Sequence, residues 1–522
     1  MKKILILILS GATVLAGSSC KKYLNVNTNP NQATSVQPYQ VIDEAIVYAA
    51  SNRETFNDYG SEVGGYAANA GGYGGFGSSW TYDYSTSDYS NLWQVAYSMM
   101  ENVQYVLTAT QGDATQVYYN AMAKVIEAYE FEELVDAYNN VPYGQALSGT
   151  TYLTPKYDSA SAVYQDLANV LDSAILEINN AGSAAVYSSG ADPLFDGNMT
   201  LWKQFANTIK LRLIVHASSV MTFSNTTFSS DGFLTTDAVV NPGYAQSSGK
   251  VNPAWNDWVV QYNGSAGNRA WLPSTYVMGF YNGVKLTDSW RGAAIFHDFP
   301  YYCGQLGLTI GTPSAPGLTG AWYSGSDTTS STSLGGAIGV MKAPSMGMPL
   351  MLAAESYFLQ AEAYERGILT SGLTDAEAFQ DGILASFTYL EEDASLSVAS
   401  GYTPATDVAA YEAANTSSYL VNYSLATTSA QKIEAIITQK YIAMNMITTS
   451  EGWNEFRRTG YPQCATVALN NPYGSFASTQ SQATTTNKLP TRILYPNTEY
   501  EYNDGNVPQN ISAWGSKIFW AQ

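Results

Sequence analysis

The stretch GYGGFGSSWTYDY, residues 72–84, sets aromatic rings into a backbone made of glycine and serine. An aromatic ring offers a flat apolar face with a polar edge at low entropic cost. A sugar ring has an apolar C–H face and a polar rim, so residues of this kind suit glycans, and tyrosine-rich loops also suit protein surfaces. In an extended segment Trp80, Tyr82 and Tyr84 fall on one side, with Asp83 on the other. That spacing predicts a platform, with Tyr73 beside it. A later set of rings, Trp271, Trp290, Tyr301, Tyr302, Trp322 and Tyr323, lies in a second loop-rich region. The expected ligand contacts are Tyr73, Trp80, Tyr82, Asp83, Tyr84, Trp271, Trp322 and Tyr323. For one ring taken alone, core packing is the commoner role. The chain has 40 Tyr and 11 Trp, and their grouping in Gly/Ser loops favours binding.

Other chemistry has less support. Residues 72–77, GYGGFG, match G-x-G-x-x-G, but no hydrophobic strand precedes them and no helix pattern follows, so a dinucleotide site is not expected. Of the two histidines, His216 lies on an apolar helical stripe, as core histidines do. His297 stands beside Asp298, which alone does not build a general base. There is no G-x-S-x-G elbow. A glycosidase built on two carboxylates stays open, because 43 acidic residues offer many pairs. No CxxC or Cys/His cluster suggests zinc. NVNTNPN (25–31) lacks the carboxylates that hold calcium, and EYEYNDGN (499–506) misses the EF-hand register. None of these motifs names a catalytic residue, a metal or a cofactor.

Cys20 has a different chemistry. Lys2 and Lys3, a short apolar run and small residues 16–19 lead directly to it. The run is shorter than the roughly 20 residues a spanning helix needs, which is the layout of a secretory leader. A leader ending at a cysteine resembles the lipobox of bacterial lipoproteins, in which the cysteine becomes the acylated first mature residue. Residues 1–19 are therefore read as signal, with Cys20 lipidated and residues 20–35 as a tether. Loss of the two lysines takes the net charge from −20 to −22, which disfavours nucleic acid and anionic headgroups. Cys303 and Cys464 remain, and buried free thiols are expected rather than a required bridge.

The elements that must carry the rings are helical. Phe131, Leu134, Val135 and Tyr138 fall at i, i+3, i+4 and i+7, one face of a helix over 118–138 that Pro142 ends. Similar stripes predict helices over 201–217, over 349–366 with Gly367 at its end, and over 429–446 with a Thr428/Gln431 capping box. Residues 60–92, 300–345 and 470–515 read as long loops, and loops of that length in a compact protein are usually functional. Residues 36–522 are expected to form one domain, a helical scaffold under elaborate loops. No fixed repeat period is visible.

Six blocks in order resemble the SusD/RagB family, nearest its SusD-like type 2 branch. They are NVNTNPNQAT, AKVIEAYEFEELVDAYNNVPYGQAL (123–147), PLFDGNMTLWKQFANTIKLRLIVHAS (193–218), LAAESYFLQAEAYERG (352–367), IITQKYIAMNMITTSEGWNEFRRTGYP (436–462) and LPTRILYPNTEYEYN (489–503). The resemblance implies a mostly α fold with tetratricopeptide-like helix pairs, long irregular loops and few short strands. It also implies a lipid anchor in the outer membrane facing the cell exterior, and a SusC-like TonB-dependent transporter as partner. Family members bind oligosaccharides, or in some cases peptides, without catalysis. Glu455, Arg457 and Arg458 are expected to be ion-pair and turn residues of the scaffold.

Overall fold

A computed structural model describes residues 36–188, 190, 192–297, 299–308, 338–465 and 471–522. Helix accounts for 46% of the structure and strand for 6%, so helix packing rather than sheet pairing carries the architecture. Six helices build the first half: α1 (Pro38–Val63), the single turn α2 (Ser78–Thr81), α3 (Ser90–Thr110), α4 (Val117–Tyr138), α5 (Ala160–Asn179) and α6 (Met199–Ala217). A short α7 (Pro253–Trp258) follows, then α8 (Ala353–Glu365), α9 (Asp375–Glu391), α10 (Pro404–Ala414), α11 (Ser429–Ala443) and α12 (Thr449–Thr459). Successive helices pack on one another, α3 on α4, α4 on α5, α5 on α6 and α8 on α9. This is the expected scaffold of helix pairs. Among the described residues three two-stranded antiparallel ribbons pin the connections, one of them Val141–Pro142 (β2) on Tyr157–Asp158 (β3). The one beneath the aromatic loop pairs Ala67–Asn69 (β1) with Trp271–Pro273 (β5).

Local signals explain most helix limits. The Thr428/Gln431 capping box is formed in both directions at the start of α11, and Gly367 takes a left-handed φ of 71° just past α8. One expectation is corrected. Residues 349–351, read as the start of a helix, belong with Met348 to a strand (β6, Met348–Met351) paired with Ala238–Val240 (β4), and α8 begins only at Ala353. Pro349 lacks the N–H that a helix interior needs, and the apolar residues around it are buried in the ribbon.

The centre of the protein is charged. From Tyr119 to Tyr138 nearly every residue of α4 is buried, four of its acids included. Glu133 binds Arg53 of α1 at 2.6 Å, and Glu132 binds Arg212 of α6 at 2.6 Å. Arg212 also reaches Glu355 of α8 at 2.9 Å. On α11, Lys440 holds Glu451 at 2.7 Å and Glu455 at 2.6 Å, both from α12. Arg458 joins Glu455 and, at 2.6 Å, Glu362. His216 sits inside this group with Nε2 3.0 Å from Glu451. Burial alone would depress its pKa, but the surrounding carboxylates raise it well above the ordinary value. It is a core histidine whose neighbouring carboxylates favour its charged form. Arg457 donates to the Asp136 carbonyl at 2.7 Å, so Glu455, Arg457 and Arg458 are scaffold residues as expected. Gly60 lets α1 cross the start of α12, since a Cβ there would lie 2.2 Å from the Ser450 nitrogen.

Candidate functional site: an aromatic loop on the helical scaffold

The loop after β1 begins with glycines. Gly72, Gly74 and Gly77 have φ of 88°, 80° and 53°, left-handed values that disfavour any side chain. A Cβ at each would meet nothing within 4 Å, so these glycines serve backbone shape and not close packing. Three rings rise from this loop. Tyr73 is exposed, and Phe76 and Trp80 are half-buried. Phe76 stacks on Trp80, with centroids 5.2 Å apart and planes at 29°, and meets Trp271 edge-on at 5.0 Å. The Trp80 indole N–H donates to Asn69 Oδ1 at 3.0 Å. That oxygen also accepts from the Gly307 N–H at 2.8 Å. The β1–β5 ribbon thereby fixes the orientation of Trp80. Arg269 lies near Tyr73, and its guanidinium holds the carbonyls of Trp258 and Val259 at 3.3 and 3.1 Å.

The structure divides the predicted contacts. Tyr73 and Trp80 both keep exposed area on this loop, and Phe76, which the ligand-contact expectation did not include, stacks on Trp80. Trp271 belongs to the same cluster but is a buried strand residue, 9% exposed. Tyr82 and Tyr84 are corrected: both are buried. The segment is not extended. Ser78–Thr81 form a helical turn, and Tyr82 turns the chain with a φ of 56°, so alternate residues no longer share a side. The Tyr82 hydroxyl accepts from the Ser478 N–H at 3.1 Å, and its carbonyl accepts from the Trp514 indole at 2.6 Å. Tyr84 packs edge-on against Tyr82 and Tyr89. These tyrosines are the footing of the loop. Asp83 is exposed between them. Trp322, Tyr323 and Asp298 lie outside the described residues. Cys303 and Cys464 are unpaired, and burial raises both thiol pKa values.

Glu62 supports the loop from α1. It accepts from the Tyr89 hydroxyl at 2.5 Å and from Ser79 Oγ at 3.0 Å. Burial pushes its pKa up to about 7 despite both bonds. On either side of it the second turn of the loop is tied by Asp88, which accepts from Ser78 and from the N–H and hydroxyl of Ser85.

A separate cavity of about 960 Å³ is lined by Asp43, Asp192, Asp196, Asp237, Asp381 and Glu392 together with apolar residues. Its acids are in part structural. Asp192 accepts from the N–H groups of Leu194, Phe195 and Gly197 and from the Trp202 indole. Asp237 accepts from the Ala353 N–H at 2.7 Å, where α8 begins. Among the described residues none of the predicted ring contacts lines this cavity. Groups spaced to hold a metal occur around His216, with Glu132, Asp136, Glu451 and Glu455, but Arg212, Lys440 and Arg458 already pair with Glu132, Glu451 and Glu455.

A rigid helical body presenting stacked rings on a glycine loop defines a binding scaffold, and comparison with known proteins names its family. Residues 30–265 match the SusD-like family model described as starch-binding associating with the outer membrane, and residues 326–518 match the SusD and RagB outer membrane lipoprotein model. The chain belongs to the SusD/RagB family of outer-membrane nutrient-binding proteins. A SusD homologue from Bacteroides uniformis is similar in structure, with a TM-score of 0.67 and 23% identity over 92% of this chain and 99% of that one. So is a chitin-binding SusD homologue from Flavobacterium johnsoniae, with a TM-score of 0.67 and 21% identity over 92% and 98%. A homologue from Bacteroides fragilis gives 0.65 and 20% over 94% and 100%. No curated protein matches the chain. Among the described residues no helix is long and apolar enough to cross a membrane.

Proposed function

We propose that this protein is a non-catalytic, lipid-anchored glycan-binding protein that delivers oligosaccharides to a SusC-like TonB-dependent transporter in the outer membrane. The observation that carries this reading is Phe76 stacked on Trp80, with Tyr73 exposed on the same glycine loop, and with Trp80 oriented by its hydrogen bond to Asn69 of the β1–β5 ribbon. Stacked rings with free area match the apolar face of a sugar, and a prearranged surface spares the ligand the cost of ordering it. A few such contacts, at about 0.5–1.5 kcal/mol each beyond the area they bury, give affinities in the roughly μM–mM range that suit a protein which must release its cargo. Acylation of Cys20 would supply the anchor, and the tether to residue 35 would let the body sit over the transporter on the cell exterior.

Calorimetry of the mature protein against a panel of neutral oligosaccharides, chitin fragments included, tests the binding. Wild type should bind a member of the panel, and no binding across the panel, with peptides bound instead, would make it a peptide-binding member of the family. A reducing-end assay on the same oligosaccharides should stay blank, and turnover would favour a two-carboxylate hydrolase. Native purification should recover a large β-barrel partner. Cys20→Ala should leave the protein unprocessed or released from the membrane fraction, and palmitate labelling of that variant would refute the anchor.

A further inference from the structure

Glu54 and Asp58 stand one turn apart on the same face of α1, and Asp257 reaches them from α7. One oxygen from each lies within 4.8 Å of the other two. Like charges this close repel, and enclosure strengthens the repulsion. Arg53, the positive group whose field reaches Glu54, is already engaged by Glu133 at 2.6 Å, and Glu62 adds to the negative field at Asp58. Two of the oxygens, Asp58 Oδ1 and Asp257 Oδ2, are shut off from solvent with no donor from the rest of the protein, and the Asp58 and Asp257 carboxyls lie within hydrogen-bond reach of each other. Glu54 is oriented by the Trp258 indole, which donates to Oε1 at 2.8 Å, and by Asn57, 3.4 Å from Oε2. Orphaned carboxylate oxygens facing one another need protons or a cation between them.

We infer that Glu54, Asp58 and Asp257 form a calcium site. Calcium takes 6–8 oxygens at about 2.3–2.6 Å, so two ligands of one ion stand up to about 5 Å apart. The observed spacing falls within that reach. The cluster opens on a cavity of about 450 Å³ whose walls add Ser51, Thr55, Asn256 and Tyr262, oxygen-bearing side chains with room for water to complete the shell. The group contains no nitrogen or sulfur ligand, which argues against zinc and copper. Magnesium demands a tighter octahedron and gives up its water reluctantly. The consequence reaches the aromatic loop. The Asp257 carbonyl accepts from the Asn268 N–H at 2.6 Å, and Asn268 Oδ1 accepts from the Trp271 N–H at 3.3 Å. A bound ion would clamp α7 to α1 and so brace the segment that ends at Trp271.

The test is calorimetry and thermal melting of the mature protein stripped with EDTA, titrated with CaCl₂ or MgCl₂ at constant ionic strength. Wild type should take up calcium with a melting temperature that rises with calcium, and magnesium should bind at least tenfold more weakly. Asp257→Asn removes one of three repelling charges. In EDTA it should melt higher than wild type, in excess calcium it should melt lower, and its calcium affinity should fall at least tenfold. Asp58→Asn should repeat the pattern. A wild-type melting temperature indifferent to calcium overturns the proposal and leaves shared protons at the cluster. So does calcium binding that persists unchanged in both variants, which would place the ion elsewhere on this acidic chain.

Discussion

Replacing Trp80 with alanine separates a ring that meets ligand from one that only packs. Removing a fully buried large aromatic costs about 3–5 kcal/mol. Trp80 is half-buried, so the packing loss should be roughly 2 kcal/mol. Its hydrogen bond to Asn69 contributes about 1 kcal/mol net, and the loss should go no further, because Asn69 Oδ1 keeps the Gly307 N–H at 2.8 Å. Trp80→Ala should therefore destabilise by about 2–3 kcal/mol, within the roughly 5–15 kcal/mol of a folded protein, and the variant should stay folded at 25 °C. Trp271→Ala, at a site only 9% exposed, should cost about 3–5 kcal/mol. Tyr73→Ala, with 44% of the residue exposed, should stay within about 0.5 kcal/mol. Urea melts give these values. Affinity electrophoresis or calorimetry against the best oligosaccharide of the panel then gives binding. Trp80→Ala and Tyr73→Ala should each weaken it tenfold or more, about 1.4 kcal/mol. A folded Trp80→Ala protein that binds as wild type does would refute the assignment, and the ring would then be a packing residue alone.

Lys440→Met should destabilise by about 3–5 kcal/mol in urea, because it leaves Glu451 and Glu455 buried against each other; a loss under 1 kcal/mol would mean water reaches the cluster. Gly60→Ala should cost at least about 1–3 kcal/mol, since its Cβ would meet backbone and not a movable side chain, and an unchanged melting temperature would contradict the tight crossing of α1 and α12. Burial raises Glu62 to about 7 and Glu130 to about 8, and His216 is raised by its carboxylate neighbours. The folded protein thus holds more protons than the unfolded chain from about pH 4.5 to 8, and stability should fall as pH rises through that window. Below it the sense reverses, because Lys440 and its neighbours hold Glu451 and Glu455 below the usual range against the penalty of burial. The melting temperature should peak near pH 5, and a steady rise from pH 5 to 8 would contradict this. Glycan affinity should change less than about twofold between 0.05 and 0.5 M NaCl, as stacking on rings is not screened; steep weakening would point to a charged ligand in the acidic cavity.

The helices were legible where one face is apolar and the ends carry signals. Thr428 with Gln431 and Gly367 mark limits the structure keeps. Legibility failed where the chain is buried on every side. In α4 the acids Glu130, Glu132, Glu133 and Asp136 look like a solvated face, yet all are buried. The partners that make this tolerable, Arg53 and Arg212, lie some 80 residues away, and no local pattern announces them. The loop failed in part for a related reason. Tyr73 and Trp80, chosen by ring type and glycine setting, keep exposed area. Tyr82 and Tyr84 were misplaced because one left-handed residue after a helical turn cancels the alternation of an extended strand, and a tyrosine does not advertise a positive φ as a glycine does. Phe76 was passed over as a contact, although its place among five glycines was the available sign.

The low charge of this chain has a structural meaning that follows from where the charges went. Only 13% of residues are charged, and many of the basic ones, Arg53, Arg212, Arg291, Lys440, Arg458 and Arg492 among them, are spent inside the core. Buried pairs of this kind add little net stability compared with apolar packing, but each has few acceptable partners, so they fix which helix meets which. Register set by ion pairs in the interior frees the surface from needing charge for specificity. What remains outside is largely serine, threonine, asparagine, glycine and tyrosine, together with the acids that leave the net charge at −20. A net charge neither attracts nor repels a neutral sugar, so selection falls to ring geometry and hydrogen-bond position. These depend in turn on a loop footing that does not shift, which the buried Tyr82, Tyr84 and Glu62 supply beneath Trp80.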